Sequence, residues 1–292
     1  MFRYGRRRYA RCVRGHGLVG EVAGAEAHDH VCWVYRDDAE LHAVGTRFLA
    51  GGLARGERLL CVGVDLVEHL GLDDVDRLVA AGTLVVLTPD EAYVGAGGFT
   101  AEKQRAFYDT ASRRARTDGY TGLRVLAELS SLAGDPGHAR ELARWEHHAD
   151  QFIGSDAGMS AMCAYRADAS PAAVTDIAAV HPAVHAPDGA VPFRVFFDRG
   201  RLALSGDVDT LGADRLARIL DVSPIPAGTR SLDLSELDFA DVAACRVLAA
   251  WARAAAQDGG RVQLWNATAL LRRMWPAMGL DAWAPVQFAA AA

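Results

Sequence analysis

SLDLSELDFADVAACRVL, residues 231–248, decides the fold of the C-terminal part of this chain. The alternation of apolar and polar residues over 231–234 predicts a short buried strand, and a sharp turn is expected from Asp238 to Asp241. The apolar residues that follow, as far as Trp251, have helical spacing. A strand followed at once by a turn and a helix is typical of a small α/β domain.

The flanking sequence supplies the other elements of such a domain. Two strand-like runs, 194–197 and 201–205, surround Asp198-Arg-Gly200 and predict a hairpin. Because a hairpin is antiparallel and the later strands alternate with helices, we expect a mixed sheet. The later elements are predicted as helices over 211–220, 243–256 and 267–278, and a strand over 261–265.

Before residue 187, apolar strand-like runs alternate with amphipathic helical ones, which predicts a parallel sheet covered on both faces. Such sheets place ligands at the carboxyl ends of their strands. We expect strands over 31–35, 58–64, 83–88, 123–127 and 159–165, and helices over 38–55, 101–118, 136–153 and 171–184. The predicted organisation is a basic disordered tail (1–25), a first domain (26–186), a Pro- and Gly-containing linker (187–192) and a second domain (193–288).

Composition narrows the classes of function. The 292 residues are 51% hydrophobic and 23% charged, which indicates folded domains with real cores. A net charge of −6 argues against a general nucleic-acid binder, and no apolar stretch is long enough to span a membrane. Five widely spaced cysteines without a CxxC pair fit reduced thiols, so we expect a cytoplasmic protein.

Residues 193–285 resemble the STAS domains of anti-sigma-factor antagonists. The resemblance is carried by Leu202-Ala-Leu-Ser-Gly-Asp-Val-Asp209, Leu232-Asp-Leu-Ser235 and Phe239-Ala-Asp-Val-Ala-Ala244. In that family an Asp-Ser pair follows the strand, and a partner kinase phosphorylates the serine. The pair here is Asp241-Val242, and valine offers no oxygen to a phosphate.

This resemblance implies a protein-binding surface at the turn and on the helix after it. We expect it to bind an anti-sigma factor or a related regulatory protein without control by phosphorylation. A purely structural module remains the alternative, and a homodimer is left open. The candidate partner-binding residues are Asp207, Asp209, Phe239, Asp241, Val242, Cys245 and Arg246.

Residues 26–186 resemble the MEDS domains, the sensory domains named for methanogens, methylotrophs and the DcmR regulator. The motifs are His30-Val-Cys-Trp-Val-Tyr35, Gly52-Leu-Ala-Arg-Gly-Glu57, Gly122-Leu-Arg-Val-Leu126, Met162-Cys-Ala-Tyr165 and His181-Pro182, together with Arg144-Trp-Glu146. The resemblance implies a RecA-like, three-layer parallel-sheet fold that senses small molecules. Family members often have a second histidine after the cysteine, where this chain has Trp33.

These motifs contain the candidate residues for a ligand pocket: His30, Cys32, Trp33, Tyr35, Glu146, Cys163 and His181. His28, His30 and Cys32 are spaced by two, so on a strand they would face one side and offer imidazole and thiolate to a metal. Plain packing explains the same residues, so no metal or other cofactor is assigned. The run Glu146-His147-His148 is expected to form a partly solvated helix face.

The first domain lacks the residues of an ATPase. A P-loop needs glycines, a lysine and a hydroxyl, whereas the turn after the first strand reads Arg36-Asp-Asp-Ala-Glu40. There is also no Gly-x-Ser-x-Gly motif of a hydrolase.

Together these features predict a non-enzymatic signalling regulator of α/β class. A RecA-like, MEDS-type domain would sense a small molecule, and a smaller STAS-type mixed-sheet domain would act by binding protein. Two alternatives are kept: a ligand-free scaffold or dimerisation protein, and an enzyme acting on a nucleotide or small substrate.

Overall fold

The computed structural model describes residues 16–20, 28–95, 98–155, 157–187, 191–198, 200–225, 229–257, 259–284 and 286–290. These residues form two sheets, each with its own helices. The α/β class predicted from the sequence is therefore confirmed. Among the described residues, no helix combines the length and the apolar character that crossing a bilayer requires.

The first sheet has seven strands, all parallel, in the order β1-β7-β2-β6-β5-β3-β4. The central strands are almost completely buried, as the near-continuous apolar runs of β2, β5 and β6 dictate. The strands are β1 (Gly17–Leu18), β2 (His30–Tyr35), β3 (Arg58–Val62), β4 (Leu84–Leu87), β5 (Leu123–Glu128), β6 (Met159–Arg166) and β7 (Ala183–His185).

Helices cover both faces of this sheet. The helices α1 (Asp38–Ala54), α2 (Val64–Val67) and α3 (Val75–Ala80) pack on one face. The other face carries α4 (Ala101–Thr117), α5 (Ser130–Gly134), α6 (Ala139–Ile153) and α7 (Pro171–Ala178), with a π-helical turn at Asp90–Val94 before α4. The side chain of Asp37 caps α1 by accepting a hydrogen bond from the Glu40 amide at 2.9 Å.

The second sheet has five strands in the order β12-β11-β10-β9-β8. The pair β8–β9 is antiparallel and the other pairs are parallel, so the sheet is mixed. Its strands are β8 (Phe193–Asp198), β9 (Arg201–Val208), β10 (Thr229–Ala240), β11 (Arg261–Trp265) and β12 (Val286–Ala289). Its helices are α8 (Thr210–Val222), α9 (Val242–Gln257), α10 (Ala269–Ala277) and α11 (Leu280–Trp283).

Three sequence expectations are wrong in detail. The strand expected to end at residue 234 continues to Ala240, because β10 keeps pairing with β9 beyond two register shifts. The helix expected over 171–184 ends at Ala178, since the residue before Pro182 is disfavoured in a helix and β7 follows. Within the expected disordered tail, Gly17–Leu18 is a strand that pairs with β7. Residues 1–15 and 21–25 of that tail, 26–27 of the expected first domain and 188–190 of the expected linker lie outside the described residues.

Gly206 is required where β8 and β9 meet. Its φ of +87° is left-handed, and a Cβ at this position would clash with the carbonyl oxygen of Pro192. We expect Gly206→Ala to lower the free energy of unfolding by about 2–3 kcal/mol through strain and clash together. The measurement is urea denaturation followed by circular dichroism.

The matched control is Gly200→Ala in the same hairpin. Gly200 also has a positive φ, +76°, but among the described residues no heavy atom would lie within 4 Å of its Cβ. In Gly200→Ala, backbone strain alone should lower the free energy of unfolding by about 1 kcal/mol. Equal losses in the two variants would contradict the role given to the close approach of Pro192.

Candidate functional site

Strand β2 presents alternate residues to the two faces of the first sheet. His30 and Cys32 lie on the face covered by α6 and α7, and both are fully buried. Trp33 and Tyr35 lie on the opposite face, with the residues of α1. The sequence candidates on β2 are therefore divided between two environments.

Four buried side chains from four segments converge beneath α6. They are His30 of β2, Glu146 of α6, Cys163 of β6 and His181, which follows α7. Their possible ligand atoms all lie within 4.8 Å of one another. Oε2 of Glu146 is 3.2 Å from His30 Nε2, 3.3 Å from Cys163 Sγ and 3.4 Å from His181 Nε2. We call these four residues the buried cluster.

A second layer of contacts fixes the members of the buried cluster. Nδ1 of His30 lies 3.5 Å from Oδ1 of Asp150, one turn after Glu146 on α6. Nδ1 of His181 lies 2.9 Å from the carbonyl oxygen of Ile177, and the Tyr165 hydroxyl donates to Oε1 of Glu146 at 2.5 Å. These contacts orient His30, His181 and Glu146, and the remaining polar atom of each is directed at the other members of the cluster.

Burial and mutual contacts set the charge of the buried cluster. Burial opposes charge on Glu146, but its close contacts with the His181 and His30 rings lower its pKa below the usual value. Burial likewise disfavours charged His30, yet its contacts with Asp150 and Glu146 raise its pKa. Burial lowers the pKa of His181, and burial beside Glu146 raises the pKa of Cys163. These directions favour an ion pair between His30 and Glu146, a neutral His181 imidazole and an uncharged Cys163 thiol.

The other aromatic candidates make separate contacts. Trp33 donates to Glu40 at 3.2 Å and stacks on His185, with ring centroids 3.8 Å apart. At the carboxyl end of β2, the Tyr35 hydroxyl donates to Glu128 at 3.0 Å, and burial and Glu128 raise the pKa of Tyr35 to about 12. Neither side chain belongs to the buried cluster, which lies under the helices and not at the carboxyl ends of the strands.

Helix α6 also contacts the second sheet. Oδ2 of Asp150 accepts a hydrogen bond from the backbone amide of Phe197 in β8 at 2.5 Å. Nearby, His147 Nδ1 lies 3.2 Å from the Ser223 hydroxyl, and Gln151 donates to the Pro224 carbonyl at 2.8 Å. One carboxylate, that of Asp150, therefore contacts both the His30 ring and the first strand of the second sheet.

The end of the second sheet, where β10 meets α9, exposes apolar side chains. Phe239 is 46% exposed and Val242 is 44% exposed, and Leu211 and Leu270 are exposed at the starts of α8 and α10.

Asp241 caps α9 by accepting from the Ala244 amide, and this bond lowers the Asp241 pKa. Asp241 also accepts from Thr210 at 2.8 Å, which joins α8 to the same end. We call Leu211, Phe239, Val242 and Leu270 the apolar patch.

The other candidates for partner binding differ in exposure. Asp207 and Arg246 are exposed, and Asp209 caps α8 through the amides of Leu211 and Gly212. Cys245 is fully buried in the core, so its side chain is not part of the surface.

This architecture, a parallel-sheet unit with a buried polar cluster joined to a small mixed-sheet unit, is that of a two-domain α/β protein. A family model described as MEthanogen/methylotroph, DcmR Sensory domain (MEDS) matches residues 29–182, and a model described as "Mlab, STAS domain" matches residues 194–287. The chain belongs to the MEDS family and carries a C-terminal STAS domain. Both domain classes indicate a regulatory role.

Comparison with individual proteins adds little. No curated protein matches the chain. Among solved structures, the crystal structure of the DUF1998 helicase MrfA bound to DNA and AMPPNP is similar at 12% identity and a TM-score of 0.30. The alignment covers 93% of this chain and 39% of the helicase chain. At this TM-score the similarity supports no conclusion about function.

Of the residues selected from the sequence, the structure brings together His30, Glu146, Cys163 and His181, with Cys32 beside Cys163 on the neighbouring strand. His28 precedes β2 in a left-handed conformation and is outside the buried cluster. The expectation of a partly solvated face at Glu146-His147-His148 is wrong for Glu146 and His147, which are fully buried, whereas His148 is half-buried. Sequence reasoning missed Asp150, although its spacing of four from Glu146 places both on one side of a helix.

Proposed function

We propose that this chain is a signalling regulator in which the MEDS domain senses a small molecule and the STAS domain transmits the signal by binding another protein. The observation that carries the proposal is the double contact of Asp150 with His30 Nδ1 and with the Phe197 amide. A ligand that displaces the His30 ring or α6 changes the environment of β8 directly. Ligand binding can then favour one arrangement of the two domains over another.

The output surface in this proposal is the apolar patch around the start of α9. Exposed apolar side chains grouped at one end of a domain are typical of protein-binding surfaces. The partner we propose is an anti-sigma factor or a related regulatory protein. Position 242 is valine, so partner binding is controlled by the MEDS domain and not by a phosphate at this position.

Photo-cross-linking tests the output surface. A photoreactive phenylalanine analogue is placed at Phe239 in the full chain, in cells of the organism that carries the gene. We expect an adduct with an anti-sigma factor or a related regulator, identified by mass spectrometry, because Phe239 projects from the apolar patch.

The control places the same analogue at Val79, an exposed apolar residue of α3 in the MEDS domain. The regulator should be absent from the adducts at this position. The same adducts at both positions, or no regulator at position 239, would count against the proposed output surface.

A further inference from the structure

We propose that the buried cluster is a binding site for one divalent transition-metal ion, and that Zn²⁺ is the ion its donor set fits best. The ligand atoms would be His30 Nε2, Glu146 Oε2, Cys163 Sγ and His181 Nε2. This inference goes beyond the proposed function, because metal content is measured on the isolated chain without a partner or a signal.

The spacing of the donor atoms supports four-coordinate geometry. A tetrahedral zinc ion with bonds of about 2.0–2.3 Å separates its ligand atoms by about 3.3–3.8 Å. The measured separations from Glu146 Oε2 are 3.2, 3.3 and 3.4 Å, and His30 Nε2 lies 3.6 Å from Cys163 Sγ. The four residues come from four separate segments, so this spacing is a property of the tertiary fold and not of one helix or turn.

The orientation of the two histidines is that of metal ligands. A ligating imidazole usually gives its second nitrogen to a carboxylate or a backbone carbonyl, which fixes the tautomer. His30 Nδ1 faces Asp150, and His181 Nδ1 faces the Ile177 carbonyl oxygen. Among the described residues, no hydrogen bond reaches the fully buried His181 Nε2, which points toward Glu146.

Charge and donor chemistry narrow the choice of ion. A thiolate, a carboxylate and two neutral imidazoles balance the charge of a divalent cation, so the occupied site is neutral inside the core. Sulfur and imidazole ligands select zinc-like transition metals over Mg²⁺ and Ca²⁺, which prefer oxygen. Metal binding requires the Cys163 thiolate and two imidazoles whose Nε2 atoms carry no proton, and Nδ1–H of His30 then faces Asp150.

Four protein ligands leave no open coordination position, which is typical of structural and not catalytic metal sites. The ion would cross-link β2, β6, α6 and the segment after α7. Because Asp150 holds both His30 and the Phe197 amide, occupancy of the site would also fix the position of the first STAS strand.

Metal titration of the full chain tests the inference. The chain is purified without a histidine tag, stripped with a chelator under reducing conditions, and titrated with Zn²⁺ and with Co²⁺. We expect one ion per chain by elemental analysis, and a thiolate-to-cobalt charge-transfer band in the Co²⁺ form. The Cys163→Ser variant should lose this band, because its thiolate is the sulfur ligand, and should bind at least about tenfold more weakly.

The matched control is Cys61→Ser, another fully buried cysteine of the same sheet that lies on the opposite face. It should keep the stoichiometry and the charge-transfer band. A wild-type chain that binds no stoichiometric transition metal overturns the inference, and this result does not depend on the folding of any variant. A band that survives in Cys163→Ser also overturns it.

Discussion

Replacing Glu146 by alanine is expected to lower the free energy of unfolding of the chelator-treated chain by about 3–5 kcal/mol. The substitution leaves His30, whose pKa is raised, without its ion-pair partner in a fully buried site. It also removes the acceptor of the Tyr165 hydroxyl. Urea denaturation at neutral pH, monitored by tryptophan fluorescence and circular dichroism, gives the difference.

Glu102→Ala is the control for this substitution. Glu102 forms an ion pair with Arg144 of α6 at 2.7 Å, but the two side chains are 62% and 40% exposed to solvent. Exposed pairs contribute no more than about 1 kcal/mol, so the control should remain close to wild type. Similar stabilities for the two variants would show that the His30–Glu146 pair is not a buried charge pair.

Replacing Asp150 by alanine is expected to destabilise the chain by about 3 kcal/mol and to increase hydrogen exchange at β8. The substitution removes the carboxylate that accepts from the Phe197 amide and that lies beside His30. Bonds to charged acceptors contribute about 1.5–3 kcal/mol, and losing the ionic partner adds to this. Hydrogen–deuterium exchange with peptide resolution over 193–198 measures the effect on the STAS strand.

Gln151→Ala, at the next position of α6, separates this effect from a general loosening of the domain contact. Its side chain also bonds across the interface, to the Pro224 carbonyl, but the bond is neutral and partly exposed. We expect a loss of about 1 kcal/mol and little change in exchange over 193–198. Equal acceleration of hydrogen exchange over 193–198 in both variants would contradict the role given to the Asp150 carboxylate in joining the two domains.

The sequence predicted the residues of the buried cluster better than their surroundings. His30, Cys163 and His181 fall in short motifs, and these motifs placed them among the candidate residues for a ligand pocket. Strand alternation placed His30 with Cys32, and the structure agrees. The same alternation assigns Trp33 and Tyr35 to the other face of the sheet. One pocket therefore cannot be lined by these two residues together with His30 and Cys32.

Helix α6 shows why the rest could not be read from the sequence. Polar residues such as Glu146, His147 and Asp150 suggest a solvated face when a helix is considered alone. In the structure α6 lies between the first sheet and the STAS domain, so all three are buried. Burial of a polar helix face depends on what packs against it, and this is a property of the whole chain.

The apolar core described above has a consequence for how the chain unfolds. The side chains on one face of the first sheet form a single continuous cluster with those of the STAS domain, including Phe193, Val195 and Phe197 of β8. Two families meet in this chain, but their border does not divide two independent hydrophobic interiors. We therefore expect the chain to unfold as one cooperative unit, and cutting it at the family border would expose apolar surface on both fragments.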